Sequence, residues 1–291
     1  MTLAAVTVSL VPSARTQAII DGRVTVEGFR IAPRCASSVD DNSRQMLGCA
    51  FDVAEMSLGT YVAAAGKQGA LVGLPIFPGR RFVHGGMLCG RDSGLESPAQ
   101  LAGRRVVVPQ YWLTSSIWHR GLLQHEWGVR PQDVEWLTTS PERGATTFPA
   151  GVKVTHVRGA SIAELIATRQ ADAALVPRPD HPQYLHPQIR PLLADVREAE
   201  RRSYARDGIF PIMHFIVARR ELLQHEPALA PALENAFRAA AAEARADDAS
   251  ELWVDGLEAN RKVLETFVAY CAEQGLLESA PRVEELFFGI R

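Results

Sequence analysis

Two histidines in this chain share a local setting. His84 follows Phe77-Pro78-Gly79-Arg80 and precedes the apolar run Met87-Leu88-Cys89, while His214 follows Phe210-Pro211 and precedes Phe215-Ile216-Val217. Histidine gains and loses a proton near neutrality, so two of them in matching contexts, with Arg80 near one, have the composition of an acid–base site. Hydroxyls and arginines recur at four further places where an apolar run gives way to the residues after it. Ser13, Arg15 and Thr16 follow Val6–Val11, Ser57 follows Phe51–Met56, Thr114 and Ser115 follow Arg105–Val108, and Arg178 follows Ala173–Val176. Beyond the carboxyl end of a strand, a helix N-terminus presents free N–H groups and a partial positive charge, which suits an anionic ligand. The same hydroxyls also serve as plain N-caps and the same arginines as solvated charges; spacing leaves both readings open.

These residues need elements to hold them. Val- and Ile-rich runs alternate with helical periodicity, the pattern of an α/β sheet. Ser161-Ile162-Ala163-Glu164 is a capping box; Leu229, Leu233 and Phe237 repeat at four; Leu264, Phe267, Val268 and Cys271 form a stripe closed by Gly275. Residues 236–249 read as an Ala-rich surface helix and 138–151 as a loop. Segments 74–89 and 208–217 lack helical periodicity and read as chain crossings between lobes. That reading brings His84, His214 and Arg80 toward one cleft.

The chain has 291 residues, enough for about two domains. With 47% hydrophobic and 22% charged residues it is globular rather than disordered. Lys and Arg number 31 against 33 Asp and Glu, a net charge of -2 without long single-sign blocks, so no nucleic-acid footprint is expected. No run of ~18 apolar residues suggests a membrane span, and no basic segment precedes Val6 as in a signal peptide. The expected compartment is the cytoplasm, with Cys35, Cys49, Cys89 and Cys271 reduced. Dinucleotide, P-loop, GxSxG and HExxH signatures are absent, which leaves redox, kinase and hydrolase readings without support. His181 and His186 lie close together, but Pro182 and Pro187 break any helix there and favour a polar loop over a metal site. A two-His, one-carboxylate set of His84, His214 and Glu55 stays open, so no cofactor is required and a divalent metal is compatible. The expected partner is a small molecule, and homo-oligomerisation is left open.

A family resemblance is carried by Arg15-Thr16 with Asp21-Gly22-Arg23-Val24, by Phe51-Asp52-Val53-Ala54-Glu55-Met56-Ser57 with Tyr61, and by Pro75–Arg80 with His84. It continues through Val108–Tyr111, Thr114, Trp118–Gln124, Arg178-Pro179, Gly208–His214, Glu258–Arg261, Glu273–Leu276 and Glu284–Phe287. In these stretches the chain resembles the 4,5-dihydroxyphthalate decarboxylases. The resemblance implies a two-lobed type II periplasmic-binding-protein-like α/β fold with a ligand cleft between the lobes. Lobe 1 would comprise 1–88 and 211–291, and lobe 2 would comprise 89–210. It further implies loss of CO2 from a hydroxylated aromatic dicarboxylate, a small aromatic carboxylate ligand.

That reaction needs a proton delivered to a ring carbon and a cation to hold the carboxylate. His84 and His214 are the expected acid and base, with Glu55 to take a phenolic proton or orient a histidine. Arg80 and Arg178, then Arg15, suit the carboxylate because a guanidinium binds both oxygens. Thr16, Ser57, Tyr111 and Thr114 would orient the ligand. The chain departs from the family pattern at Ala14, Gly79, Val83, Gly85 and Gln110, where hydrogen-bonding groups are expected. Lost polar partners can redirect specificity. The alternatives are a non-catalytic binding protein for a small carboxylate and another lyase on the same scaffold.

Overall fold

The computed structural model describes residues 5–65, 69–142, 147–244 and 252–289. By contact the chain divides into two compact units, the first made of 1–80, 212–265 and 281–291, the second of 81–211 and 266–280. Residues 81–88, 211 and 266–280, assigned to lobe 1 from sequence, thus pack within the second unit. The chain passes between units at 80/81 and 211/212, inside the two segments read as crossings.

The first unit opens with β1 (Val6–Leu10), α1 (Gln17–Ile20), β2 (Ile31–Cys35), α2 (Val39–Leu47), β3 (Val53–Ser57), α3 (Leu58–Ala65) and β4 (Leu71–Arg80). The second contains β5 (Met87–Gly90), β6 (Arg105–Val108), α4 (Thr114–Trp127), β7 (Glu135–Thr138), β8 (Lys153–His156), α5 (Ile162–Ala167), β9 (Ala173–Leu175), β10 (Ile189–Pro191) and α6 (Val196–Asp207). The chain then returns to the first unit through β11 (Ile212–Arg219), α7 (Arg220–His225) and α8 (Leu229–Glu243). The last helix, α9 (Leu257–Glu273), begins in the first unit and ends in the second.

Each unit is built on one sheet. The first has order β2-β1-β3-β11-β4, with β1 parallel to β2 and β3, and β11 antiparallel to β3 and β4. The second has order β10-β5-β9-β6-β7-β8, in which β6 to β9 run parallel and β5 is antiparallel to β9 and β10. Central strands covered on both faces cannot alternate polar and apolar residues. Accordingly all of Val53–Ser57 is buried, Glu55 and Ser57 included. Around the first sheet pack Val8, Leu10, Ile19, Val53, Val72, Ile216, Leu233 and Phe237. Around the second lie Val107, Leu137, Ile162, Leu165, Ile166, Ala174 and Val176. Each such large side chain contributes about 1.5–3 kcal/mol.

Most expected elements form. Ser161 and Glu164 make the capping box of α5, the 229/233/237 repeat is buried on α8, and Leu264, Phe267, Val268 and Cys271 are buried on α9. One expectation changes. The junction after β9 leads to a short 3-10 turn at Pro182–Tyr184 rather than an α-helix, because Pro177, Pro179 and Pro182 deny the backbone donors a helix needs. The Ala-rich stretch, where it is described, is a surface helix with one buried face: Arg238, Ala239, Ala242 and Glu243 are exposed, while Ala236 and Ala240 are buried, their small side chains letting α8 approach the core. Residues 245–249 of that stretch and 143–146 of the expected loop lie outside the described residues.

Candidate functional site

The first unit brings Glu55 and His214 together. Glu55 lies in the middle of β3 and His214 on the neighbouring β11, paired with Ser57. His214 Nδ1 stands 3.0 Å from Glu55 Oε1. The other carboxylate oxygen, Oε2, accepts the Val11 backbone N–H at 3.0 Å. An ionised carboxylate only accepts, so Nδ1–H donates and the pair fixes the imidazole tautomer, directing exchange to Nε2. Glu55 is 4% exposed, whereas the His214 side chain keeps 23% of its surface open to solvent.

The loop after β1 is tied to the same carboxylate. Thr16, fully buried, donates its hydroxyl to the Val11 carbonyl at 2.6 Å, and Ser13 Oγ lies 2.9 Å from Thr16 Oγ1. Thr16 therefore shapes the turn whose Val11 N–H holds Glu55. Beneath it, Asn42 of α2 accepts from Ser9 Oγ at 2.6 Å and donates to the Ser9 carbonyl at 3.0 Å and the Glu55 carbonyl at 2.8 Å. One buried amide thus fastens β1 to β3 at the catalytic candidate. Ser57 is buried, its N–H bonded to Ser43 Oγ.

On the other side of β11, β4 leaves the ladder. Leu74 pairs with Ile216 and Gly79 with His214, so four residues of β4 face the single Phe215. Pro75 and Pro78 fall in this bulge and have no N–H to give a ladder. Its carbonyls find other donors: Gly256 N bonds the Pro75 carbonyl at 3.1 Å and Trp253 Nε1 that of Phe77 at 2.9 Å.

Arg80, at the end of β4, is buried, and its Nη1 donates to Asn260 Oδ1 at 2.6 Å and the Val254 carbonyl at 3.1 Å. Arg15 is half-buried, with its guanidinium carbon 3.9 Å from the centre of the Trp253 ring. Burial pushes the Asp255 carboxyl up, against the opposing pull of Arg15, Arg80 and Arg238. Two of the three arginines expected to hold a carboxylate thus already share the field of the surface carboxylate of Asp255.

The remaining expected residues belong to the second unit. His84 sits in a buried 3-10 turn, edge-on to Phe82 and Trp127, with Nε2 3.5 Å from Glu126 Oε2. Burial alone would raise Glu126, but His84 and Arg206 offset it and hold the carboxyl below the usual range. Tyr111 is fully buried in a box of aromatic rings, with Trp112, Trp136 and Phe148 edge-on to it. The Arg120 guanidinium lies 3.6 Å from the centre of the Tyr111 ring and bonds the Tyr111 carbonyl and Gln274 Oε1. Thr114 starts α4 and is buried. Arg178 is exposed, 3.6 Å from Asp180. A cavity of about 430 Å3 in this unit, lined by Arg91, Arg104, Arg105 and Arg169, contains none of the expected site residues.

Among the described residues no three of His, Cys, Asp and Glu converge as metal ligands; Glu55 and His214 lie in the first unit and His84 in the second. His181 and His186 instead accept the backbone N–H groups of Gln183 and Gln188, as polar loop residues do. Sequence reasoning assigned no site role to Asn42, Glu126, Trp253, Asp255 or Asn260. Asn260 and Gln274 fall in the stretches that carry the resemblance, and that was the available signal.

No protein-family model matches the chain. Among solved structures it resembles the periplasmic aliphatic sulphonate binding protein SsuA from Escherichia coli, at a TM-score of 0.59 and 12% identity over 99% of this chain and 92% of that one. It also resembles the desulfurization enzyme DSZB, at a TM-score of 0.57 and 16% identity over 97% and 96%. These likenesses establish a type II periplasmic-binding-protein-like fold. A 4,5-dihydroxyphthalate decarboxylase from Pseudomonas putida is 29% identical over 64% of this chain and 75% of its own length. Another from Comamonas testosteroni is 30% identical over 94% of this chain and 93% of its own. With that identity sustained along both chains, and with the fold to match, the protein belongs to the 4,5-dihydroxyphthalate decarboxylase family of carboxy-lyases.

Proposed function

We propose that this protein decarboxylates a hydroxylated aromatic dicarboxylate such as 4,5-dihydroxyphthalate, with His214 as the proton donor and Glu55 as the group that orients and charges it. The observation that carries the reading is the 3.0 Å pair between His214 Nδ1 and Glu55 Oε1. Loss of CO2 leaves an electron pair on a ring carbon, which a protonated imidazole can quench while the neighbouring carboxylate stabilises its charge. Arg15, half-buried over Trp253, is the guanidinium we assign to the substrate carboxylate in the first unit; Arg80, bonded to Asn260, adds positive charge. Arg178 is the candidate of the second unit, and His84 a second acid–base candidate. Thr16 and Ser57 support Glu55 and its strand in this reading, while Tyr111 and Thr114 shape the second unit. The cytoplasm is the compartment we infer, supported by four cysteines that form no disulfide.

The test is to incubate the protein with 4,5-dihydroxyphthalate, with and without a divalent metal, and to follow CO2 release together with thermal shift. Turnover is expected, and His214→Asn and Glu55→Gln should each lower kcat by about 10²-fold or more while still binding the ligand. A glutamine at 55 that keeps the Val11 bond turns its NH2 toward Nδ1 and forces the other tautomer. Thermal stabilisation without CO2 would overturn catalysis in favour of a binder. Full activity of His214→Asn would move the proton donor to His84.

A further inference from the structure

Gly79 faces His214 across the β4–β11 ladder. In a regular antiparallel pair, opposed Cβ atoms stand about 4.5–5.5 Å apart and side chains of any size coexist. At this pair they cannot. A Cβ built on Gly79 would lie 2.4 Å from His214 Nδ1, 2.7 Å from its Cγ and 2.8 Å from its Cβ. The bulge is the cause: register shifts flank His214 on both sides, so the strands do not hold their usual separation of side chains there. Gly79 is not among the residues with positive φ, so what matters is its missing side chain and not its conformational freedom.

The atom nearest the missing Cβ is also the one that bonds Glu55. We propose that Gly79 is a positioning residue for His214: the space above its Cα is occupied by the imidazole, and that occupancy lets Nδ1 reach Glu55 Oε1. Any side chain at 79 competes with the ring for this volume. The ring cannot yield by swinging only its tip, because its Cβ and Cγ are crowded too. The effect on turnover rests on the acid–base reading of Glu55 and His214; the geometric part does not.

The test is a thermal cycle of Gly79→Ala, His214→Gly and the double variant, with the Nδ1–H resonance and turnover compared between the wild type and Gly79→Ala. Gly79→Ala should lower the thermal midpoint in the wild-type background and have little effect beside His214→Gly, where all three crowding atoms are gone. The downfield Nδ1–H proton resonance of His214, identified by its loss in Glu55→Gln, should disappear from Gly79→Ala. On 4,5-dihydroxyphthalate, kcat should fall about tenfold to a hundredfold with KM nearly unchanged. If Gly79→Ala does not fold, rescue by His214→Gly supports the proposal. Equal destabilisation in both backgrounds, or a retained Nδ1–H resonance, overturns it. Loss of the resonance with unchanged kcat leaves Gly79 as the positioning residue and overturns the acid–base reading instead.

Discussion

Burial pushes the imidazole of His119 down to about 3, against the hydrogen bond from its Nε2 to the Val83 carbonyl at 2.7 Å. The ring is therefore neutral in the folded protein. In the unfolded chain it takes a proton near ~6.5. As the pH falls from about 6.5 toward 3, the unfolded state binds a proton that the folded state refuses, so stability drops by about 1.4 kcal/mol per pH unit; above that window His119 contributes no slope. Denaturation measured between pH 6.5 and 5 should give His119→Gln a shallower pH dependence than the wild type, and equal slopes would refute the assignment. At this scale the sequence is legible for residue types and blind to pairings. Glu55 and His214 both stand out by motif, yet 159 positions separate them, and only the register of β3 against β11 joins them. Arg80 and Asn260 are 180 positions apart. The role expected of Arg80 as a free clamp could not be checked against a partner so distant.

Elements were legible where a cap or a period stands out, as in the capping box of α5 and the repeat at four of α8. They were less so where a tertiary partner decides. Asn42 sits in the polar sequence Asp40-Asp41-Asn42-Ser43, yet it is 1% exposed because both β1 and β3 offer it backbone and hydroxyl partners. Replacing it with leucine removes three hydrogen bonds and leaves the Glu55 carbonyl buried without its donor. Asn42→Leu should cost about 1–3 kcal/mol in chemical denaturation. Activity should fall further than stability alone explains, since the strand carrying Glu55 loses its fastening. An undiminished midpoint would mean that α2 does not hold these strands. The bulge in β4 is the opposite case: Pro75 and Pro78 announce a break in the ladder, though nothing local says that Trp253 and Gly256 will take its carbonyls.

For the molecule as a whole, the division into two units was legible, while the placement of 81–88 and of 266–280 was not. Residues 266–280 carry a helical stripe that suits either core; contact assigns them to the second unit. There Phe267 and Tyr270 pack on Trp118, with ring centres 5.2 and 5.6 Å away, and Gln274 accepts from the buried Arg120 while donating to the Ile117 carbonyl. A fragment of 81–211 alone would expose Trp118 and strand the Arg120 guanidinium. Such a fragment should lack a cooperative thermal transition, and supplying 266–280 through a linker should restore one. Cooperative melting of the bare fragment would show that the C-terminal piece is dispensable.

The path of α9 also sets a timetable. Tyr61 in the first unit bonds the Leu286 carbonyl at 2.7 Å, and Gly73 bridges Phe287, so that unit too is completed by residues far along the chain. A domain that closes as soon as its own stretch emerges from the ribosome folds during synthesis. Each unit here is discontinuous and closes only after residues 266–287 have emerged. The two cores, far apart in sequence order, therefore wait on one stretch, residues 266–287, which completes both.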